Sequence, residues 1–188
     1  MTYKRFFDIF LSLILMIPLV VIFLFILILI KIDSEGEAIY YSKRVGLNGN
    51  LFLMPKFRTM KLNTPDVATE ALEKPEEWVT NLGIKLRKSS LDELPQLWSI
   101  FIGDMSFVGP RPALHNQYDL IGLREKYRIN SIRPGLTGWA QVNGRDLISI
   151  EEKVKLDKFY LENQSFVLDI RILYLTFIAA LKKENISH

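Results

Sequence analysis

An apolar run near the N-terminus limits the folds open to this chain more than any other feature. The run, IFLSLILMIPLVVIFLFILILI at residues 9–30, holds no charged residue and is long enough to reach across the hydrocarbon core of a bilayer. The rest of the chain has the size of an ordinary single domain. We therefore predict a membrane segment at residues 1–32 and a folded domain at residues 33–188.

The membrane segment has two features that a simple spanning helix does not explain. Pro18 lies in the middle of the run, where it removes a backbone hydrogen bond and clashes with the preceding turn. Both flanks are basic, whereas the positive-inside rule normally distinguishes the two ends; the flanking cations are Lys4, Arg5, Lys31, Lys43 and Arg44. A cleaved signal peptide is disfavoured, because the run is too long and no small-residue cleavage site follows it. A spanning helix and a helix broken at Pro18 that enters and leaves by one face both stay open.

Composition excludes several classes of function. The chain has no cysteine, so disulfides and thiolate metal sites are not available. His115 and His188 are too far apart in sequence to form a zinc-enzyme motif. The net charge of +3, beside an apolar anchor, favours an anionic membrane surface over nucleic acid as the partner. No aromatic RNA-binding signature or basic array supports nucleic acid.

The pattern of the domain predicts an α/β fold that is mostly α. Two extended runs around Gly46–Gly49 indicate a short β-hairpin at residues 37–60, with Pro55 at an edge or a bulge. Helices are expected near residues 94–102, 113–130, 149–163 and 166–182. Ser149 and Glu152 form a capping-box pattern at the start of the third. Several of these helices are amphipathic or apolar enough to lie at a membrane interface.

The stretch SSLDELPQL at residues 89–97 contains adjacent acids, Asp92 and Glu93. One interpretation is a capping box, in which Ser90 and Glu93 close the first turn of a helix. Pro95 argues for another, because proline suits a first helical position and disrupts an interior one. A helix that begins at Pro95 leaves the acids just before its N-terminus, where free N–H groups favour phosphate.

Basic residues in stiff loops add to this pattern. Arginine binds phosphate with two parallel hydrogen bonds, and rigid loops that present single arginines make good phosphate clamps. Three candidates lie in Pro/Gly-rich loops: Arg111, Arg133 and Arg145. The others come from the hairpin and from the approach to the acids: Lys56, Arg58, Lys85, Arg87 and Lys88. A carboxylate can attack phosphorus, and a neighbouring carboxylate can help to hold Mg²⁺. The residues therefore predict phosphoryl chemistry at a membrane surface.

Four motifs resemble one known family. KFRTM at 56–60, LRKSSLDELPQLWSIFIGDMSFVGPRP at 86–112, RPGLTGWAQVNGR at 133–145 and the D-x-x-Y of Asp157–Tyr160 are similar, in order, to the bacterial sugar transferases. These are the small monotopic phosphoglycosyl transferases, which initiate membrane glycoconjugate and polysaccharide assembly. The resemblance implies that a UDP-sugar and a polyprenol phosphate, undecaprenyl phosphate, react to give polyprenyl-diphosphate-sugar and UMP. It also implies a bacterial inner membrane location at the cytoplasmic face.

The resemblance implies roles for individual residues. Asp92 is the nucleophile that forms a covalent phosphosugar, and Glu93 helps with phosphate and Mg²⁺, so both are expected as metal ligands. Arg111 and Arg145 are expected at phosphate or nucleotide, with Arg87, Lys85 and Arg133 as further phosphate-binding candidates. Lys56 and Arg58 are either phosphate-binding or, instead, structural or lipid-facing. Asp157 is either a metal or base contact or a helix-surface acid, and Gln141 and Asn143 are candidates for uridine or sugar contacts.

The resemblance also favours a re-entrant membrane segment, a helix-break-helix with its break at Pro18. The family usually has Ser-Pro at the break, whereas this chain has Ile17–Pro18 and lacks that hydroxyl. Two alternatives complete the expectations. One is a membrane-anchored binding or scaffold protein without catalysis, and the other is an enzyme in which the lipid phosphate attacks directly and the acids only hold metal.

Overall fold

The computed structural model describes residues 3–65, 67, 72–144 and 148–182. The described chain is mostly helical. Its helices are α1 (Tyr3–Asp33), α2 (Pro75–Trp78), α3 (Asn81–Lys88), α4 (Gln96–Ile102), α5 (Tyr118–Lys126), α6 (Trp139–Val142), α7 (Ile150–Glu162) and α8 (Phe166–Lys182). Its strands are β1 (Ile39–Val45), β2 (Leu51–Phe57), β3 (Ser106–Val108) and β4 (Gly135–Thr137). The predicted mostly helical fold with a short hairpin is confirmed.

The predicted hairpin consists of β1 and β2, paired antiparallel with Tyr41 opposite Pro55. A 3₁₀ turn at Leu47–Gly49 connects the strands. A two-stranded sheet has only edges, so the missing N–H of Pro55 interrupts no inner ladder. Side chains alternate across the sheet, and Ser42 and Met54 on one face are buried. Lys56 lies on this same inner face, which is how the hairpin carries a cation toward the acidic pair.

Strands β3 and β4 form a short parallel pair that the sequence did not predict. Close backbone packing holds them together at three glycines. A Cβ added at Gly109 would lie 2.4 Å from the carbonyl oxygen of Arg133, and one at Gly135 would lie 2.1 Å from the amide of Gly109. A Cβ at Gly138 would lie 2.1 Å from the Gly109 carbonyl oxygen. The GPRP and RPGLTG motifs are therefore packed against each other without side chains between them.

Helix α1 continues through Pro18 as a single helix of 31 residues. The expected helix-break-helix therefore has no non-helical segment at Pro18, and the re-entrant course of this segment stays a prediction. Within the described residues, α1 is the one helix long and apolar enough to cross a membrane, with a mean hydropathy of 3.6 in its most apolar window. Large apolar side chains such as Ile17 and Val21 are exposed along it.

Both ends of α1 are fastened to the rest of the domain. Near its start, buried Asp8 accepts hydrogen bonds from the Ser106 hydroxyl and the Phe107 amide, each 3.0 Å long. At its other end, Arg58 donates to the carbonyl oxygens of Ser34 and Glu35. These are carbonyls beyond the last turn that need donors from elsewhere. The helix is thus an integral part of the fold.

The C-terminal helices agree with the sequence. Ser149 and Glu152 form the predicted capping box of α7, with each side chain accepting from the backbone N–H of the other residue. Helix α8 matches the range 166–182. It buries Ile172 and leaves an apolar stripe exposed: Phe166, Val167, Ile170, Tyr174, Phe177 and Leu181. This stripe has the character predicted for an interfacial helix.

Two helical glycines allow a matched stability prediction. A Cβ at Gly83 in α3 would lie 2.1 Å from the Thr59 carbonyl oxygen, so Gly83→Ala forces α3 off the KFRTM segment. We expect a loss of about 1–3 kcal/mol in the free energy of unfolding, as for other overpacked sites. Gly122 in α5 has open space around it. There the ordinary helix preference applies, and Gly122→Ala should gain about 0.5–1 kcal/mol.

Thermal unfolding of both variants in the same detergent measures this difference. Equal signs for the two substitutions would contradict the close docking of α3 on Thr59.

Candidate active site

The acidic pair lies on a 3₁₀ turn at Leu91–Glu93 that precedes α4. The capping-box interpretation is wrong, because Ser90 adopts a left-handed conformation with φ of 55° and its side chain caps no amide. Helix α4 instead begins at Gln96, directly after Pro95. The alternative based on Pro95 is therefore the better one, and Asp92 and Glu93 are placed just before a helix.

Glu93 is the centre of a charge cluster built from three parts of the chain. Its Oε1 accepts from Arg111 Nη2 at 2.7 Å and from Lys56 Nζ at 3.1 Å. Lys56 comes from β2, and Arg111 comes from the GPRP loop. Burial alone would raise the pKa of Glu93, but the charges and hydrogen bonds of Arg111 and Lys56 outweigh it and hold that pKa far below its usual range. The two cations therefore favour the ionised form of Glu93.

Asp92 experiences a different environment. Its side chain is buried, Lys56 Nζ lies 4.0 Å from Oδ2, and Oδ1 has no hydrogen-bond partner among the described residues. Burial raises the pKa of Asp92, and the neighbouring Glu93 charge adds to this, while Lys56 and Arg111 oppose it. Two adjacent carboxyl groups with pKa values pushed in opposite directions are typical of a pair with different chemical roles.

The GPRP loop that carries Arg111 is held through its carbonyl groups. Arg124 Nη1 donates to the Arg111 carbonyl oxygen at 2.8 Å, and Arg44 Nη1 donates to that of Pro112 at 3.1 Å. The structure therefore confines the backbone on which the Arg111 side chain depends. The sequence pattern did not indicate Arg124 as a site residue. It indicated Arg44 only as part of the basic flank of the membrane segment.

Asp157 lies in a buried ion pair with Arg124. Its Oδ2 accepts from Arg124 Nη2 at 2.6 Å and from Nε at 3.0 Å. The expectation of an exposed helix-surface acid is wrong, because Asp157 is buried. Its metal or base contact stays a prediction, and Arg124 connects it to the Arg111 carbonyl oxygen.

The other predicted cations differ in what their side chains contact. Arg87 lies near the site, and its Nε donates to Thr59 Oγ1 at 2.9 Å. Lys85, on the same helix, is exposed. Arg133 donates to the Gly103 carbonyl oxygen at 2.7 Å, at the end of α4 opposite the acidic pair. Arg58 caps α1, so its structural alternative applies, whereas Lys56 is in the site.

The predicted uridine or sugar contacts lie on and after α6. The side-chain amide of Gln141 is buried, and its two polar atoms have no hydrogen-bond partner within the described part of the chain. Asn143 donates to the Trp139 carbonyl oxygen at 2.7 Å. Arg145 lies outside the described residues. The KFRTM motif indicated Lys56 as a candidate in the sequence. Its pairing with Glu93 is seen only in the folded structure.

The fold and the site together define a chain with one long apolar helix and two inequivalent carboxylates among fixed cations. The family described as bacterial sugar transferase matches residues 1–183. EpsL of Bacillus subtilis (strain 168), named as an uncharacterized sugar transferase, is 40% identical over all of this chain and 91% of its own length. The UDP-glucose:undecaprenyl-phosphate glucose-1-phosphate transferase of Escherichia coli (strain K12) is 36% identical over 92% of this chain, which corresponds to 39% of that protein.

A third relative is the undecaprenyl-phosphate galactose phosphotransferase of Salmonella typhimurium (strain LT2), 35% identical over 97% of this chain and 41% of its own length. The chain belongs to the bacterial sugar transferase family. It is a phosphoglycosyl transferase. The prediction of an enzyme is therefore confirmed, and the alternative of a membrane-anchored binding protein without catalysis is wrong.

An unsatisfied amide close to Asp92 in sequence provides a stability prediction. Gln96 is 1% exposed, and its Nε2 has no hydrogen-bond partner among the described residues. Replacing an unpaired buried polar group by an apolar one of similar volume is neutral or stabilising. We therefore expect Gln96→Met to keep or raise the melting temperature.

Tyr160→Phe is the matched control. Tyr160 is equally buried, but its hydroxyl donates to Asp169 at 2.6 Å and accepts from Lys4 at 3.1 Å. Its loss should cost about 1–3 kcal/mol, because partners are left unsatisfied. A loss of that size in Gln96→Met as well would show that the Gln96 amide is satisfied in the folded protein.

Proposed function

We propose that this enzyme transfers a sugar 1-phosphate from a UDP-sugar to a polyprenol phosphate, undecaprenyl phosphate, through a covalent phosphosugar on Asp92. The observation that carries the proposal is the charge cluster, in which Glu93 lies between Lys56 and Arg111 while Asp92 Oδ1 has no hydrogen-bond partner among the described residues. Two bulky substrates, one in water and one in lipid, can use a single site if they react in succession.

The reaction has two balanced steps. An Asp92 carboxylate oxygen forms a bond to the β-phosphorus of the UDP-sugar, and the bond from that phosphorus to the bridging oxygen breaks. The bridging oxygen leaves with the electron pair as part of UMP. A phosphate oxygen of the polyprenol phosphate then attacks the same phosphorus. The bond to Asp92 breaks, which regenerates the carboxylate and gives polyprenyl-diphosphate-sugar.

The cations of the site suit both steps. Lys56 and Arg111 are oriented before the substrate arrives, and such fixed charges stabilise a transition state without further reorganisation. Arg87, whose guanidinium is attached to Thr59, supplies another cation on the approach to the acids. Glu93 keeps Lys56 and Arg111 together and limits the net positive charge when no phosphate is bound.

The carboxylates fit Mg²⁺ only together with substrate. The described residues contain no group of three or more acidic or histidine side chains that could hold a metal. Mg²⁺ commonly uses one or two carboxylates, with substrate phosphates and water completing its shell. Asp92, whose Oδ1 accepts no hydrogen bond from the part of the chain that the structure describes, and Glu93 would hold the ion, which would offset charge on the diphosphate.

The names of relatives support the acceptor and the type of transfer. Those of Escherichia coli and Salmonella typhimurium are named for undecaprenyl phosphate, with glucose 1-phosphate and galactose respectively. The proposal extends the polyprenol acceptor and the nucleotide donor to this chain. The motifs select neither one sugar nor an oligomeric state.

We also propose that the enzyme lies on one face of the membrane, the cytoplasmic face of the inner membrane, as a monotopic protein whose α1 re-enters at that face. Both ends of α1 bind the same folded body, at Asp8 and at the Arg58 cap. A helix that separated its ends across a bilayer would lose one of these contacts. Between its ends, Leu15 and Leu19 also pack on the domain core, while the opposite face is apolar and exposed.

The reaction is tested by UMP release from a panel of UDP-sugars with polyprenol phosphate, with and without Mg²⁺. We expect Mg²⁺-dependent release with one or two sugars and loss of at least about 10³-fold in Asp92→Asn, because the nucleophile is removed. Asp119→Asn, on the exposed start of α5, is the matched control and should keep full activity.

Intact mass without acceptor lipid separates the covalent route from direct attack. A gain of one sugar phosphate, less water, is expected on the wild type and not on Asp92→Asn. Full activity of Asp92→Asn would remove Asp92 as the nucleophile, and turnover without any adduct would favour direct attack by the lipid phosphate.

The topology is tested by cysteine labelling, for which the native chain provides no background. Tyr3→Cys and Glu37→Cys place thiols at exposed positions beside the two ends of α1. A membrane-impermeant maleimide should label both from the same side of sealed vesicles. Ile17→Cys, in the apolar middle, should be protected until detergent is added. Labelling of the two ends from opposite sides would establish a spanning helix.

A further inference from the structure

Arg124 is a buried arginine that connects helix α7 to the loop of Arg111. Its side chain is 4% exposed and that of Asp157 is 2% exposed. Nε and Nη2 bind the Asp157 carboxylate, while Nη1 donates to the Arg111 carbonyl oxygen. The guanidinium is planar and its donors have fixed directions, so binding the carboxylate on one edge sets the direction of the N–H that reaches the carbonyl.

The GPRP loop needs such external donors. Pro110 and Pro112 have no N–H group and restrict the backbone on both sides of Arg111. The loop is therefore held mainly through its carbonyl groups. Two consecutive carbonyl oxygens accept hydrogen bonds from arginines of different elements, Arg124 and Arg44. On the other side of the loop, the Arg111 guanidinium reaches Glu93.

Helix α7 also contacts the start of this segment. The Tyr160 hydroxyl lies 3.3 Å from the carbonyl oxygen of Val108. Asp157 and Tyr160 are three residues apart and therefore lie on one face of the helix. The D-x-x-Y motif thus lies against Val108 at one end of residues 108–111 and reaches Arg111 through Arg124 at the other.

We propose that Arg124, oriented by Asp157, is a positioning residue for the transfer reaction: it fixes the backbone of Arg111 and thereby holds the Arg111 guanidinium on Glu93. The inference rests on the proposed function. Asp157 then has no direct contact with metal or substrate, and its effect on the reaction passes entirely through Arg124 and Arg111.

A double-mutant cycle tests this relation. Asp157→Asn keeps the shape of the side chain but removes the charge that orients Arg124. We expect it to lower kcat/KM for UMP release about 10–100-fold, since displacement of a reacting group by about 1 Å costs on the order of 10². In an Arg111→Ala background the same substitution should change kcat/KM by less than about 2-fold, because interacting residues are not additive.

Val154→Ala is the control. Val154 is buried on the same helix and packs in an apolar cluster with Val45 and Ile129. It should lower the melting temperature and have the same small effect on activity in both backgrounds. Arg124→Lys is a second, milder variant, since a single ammonium cannot hold the carboxylate and the carbonyl in the geometry of the fork.

The outcomes distinguish a positioning role of Arg124 and Asp157 from a purely structural ion pair. Equal fold-losses from Asp157→Asn with and without Arg111 would overturn the positioning role and leave a purely structural ion pair. If the wild type releases no UMP with any sugar, the proposed function fails, and hydrogen exchange of residues 107–114 decides the positioning. Faster exchange there in Asp157→Asn than in Val154→Ala supports it, and unchanged exchange rejects it.

Discussion

The carboxylate of Glu93 is the contact on which the site depends. A buried carboxylate is costly unless cations and hydrogen bonds offset its lost hydration. Lys56 and Arg111 provide that compensation from the hairpin and from the GPRP loop. Removing either partner would leave the partly buried Glu93 charge with only one cation, so both cations stabilise the arrangement of the three elements. The charge cluster around Glu93 therefore also connects the hairpin, the acidic turn and the GPRP loop.

Helix α1 contacts segments next to this charge cluster at both of its ends. Arg58, which caps the end of α1, lies two residues after Lys56 on the segment that leaves β2. At the other end, Lys4 forms an ion pair with Asp169 at 2.5 Å and donates to the Tyr160 hydroxyl. Helix α1 thus contacts the segment that carries Lys56 and also Tyr160, which lies against Val108. The position of α1 and the geometry of the site therefore depend on shared contacts.

Local signals in the sequence predicted the elements that local chemistry determines. The apolar run, the glycine turn of the hairpin and the Ser149–Glu152 capping box each depend on neighbouring residues, and all three are present. The capping box at Ser90 failed because the left-handed backbone there turns the chain before α4 begins. The β3–β4 pair was missed because three-residue strands have no period to detect. The role of Lys56 and the Arg124–Asp157 pair arise from contacts between segments far apart in the sequence.

The arginines show why composition alone overestimates phosphate binding. Loops rich in proline lack N–H donors, while helix ends leave carbonyl groups without intrahelical partners. Arg5, Arg58 and Arg133 donate to carbonyls at or beyond helix ends, and Arg44 and Arg124 donate to carbonyls of the GPRP loop; these five side chains serve the backbone. Arg111 differs because its guanidinium reaches a carboxylate of the acidic pair. In loops of this kind, an arginine is a strong candidate for phosphate binding only when other donors have already satisfied the carbonyls around it, which is the condition that Arg44 and Arg124 create for Arg111.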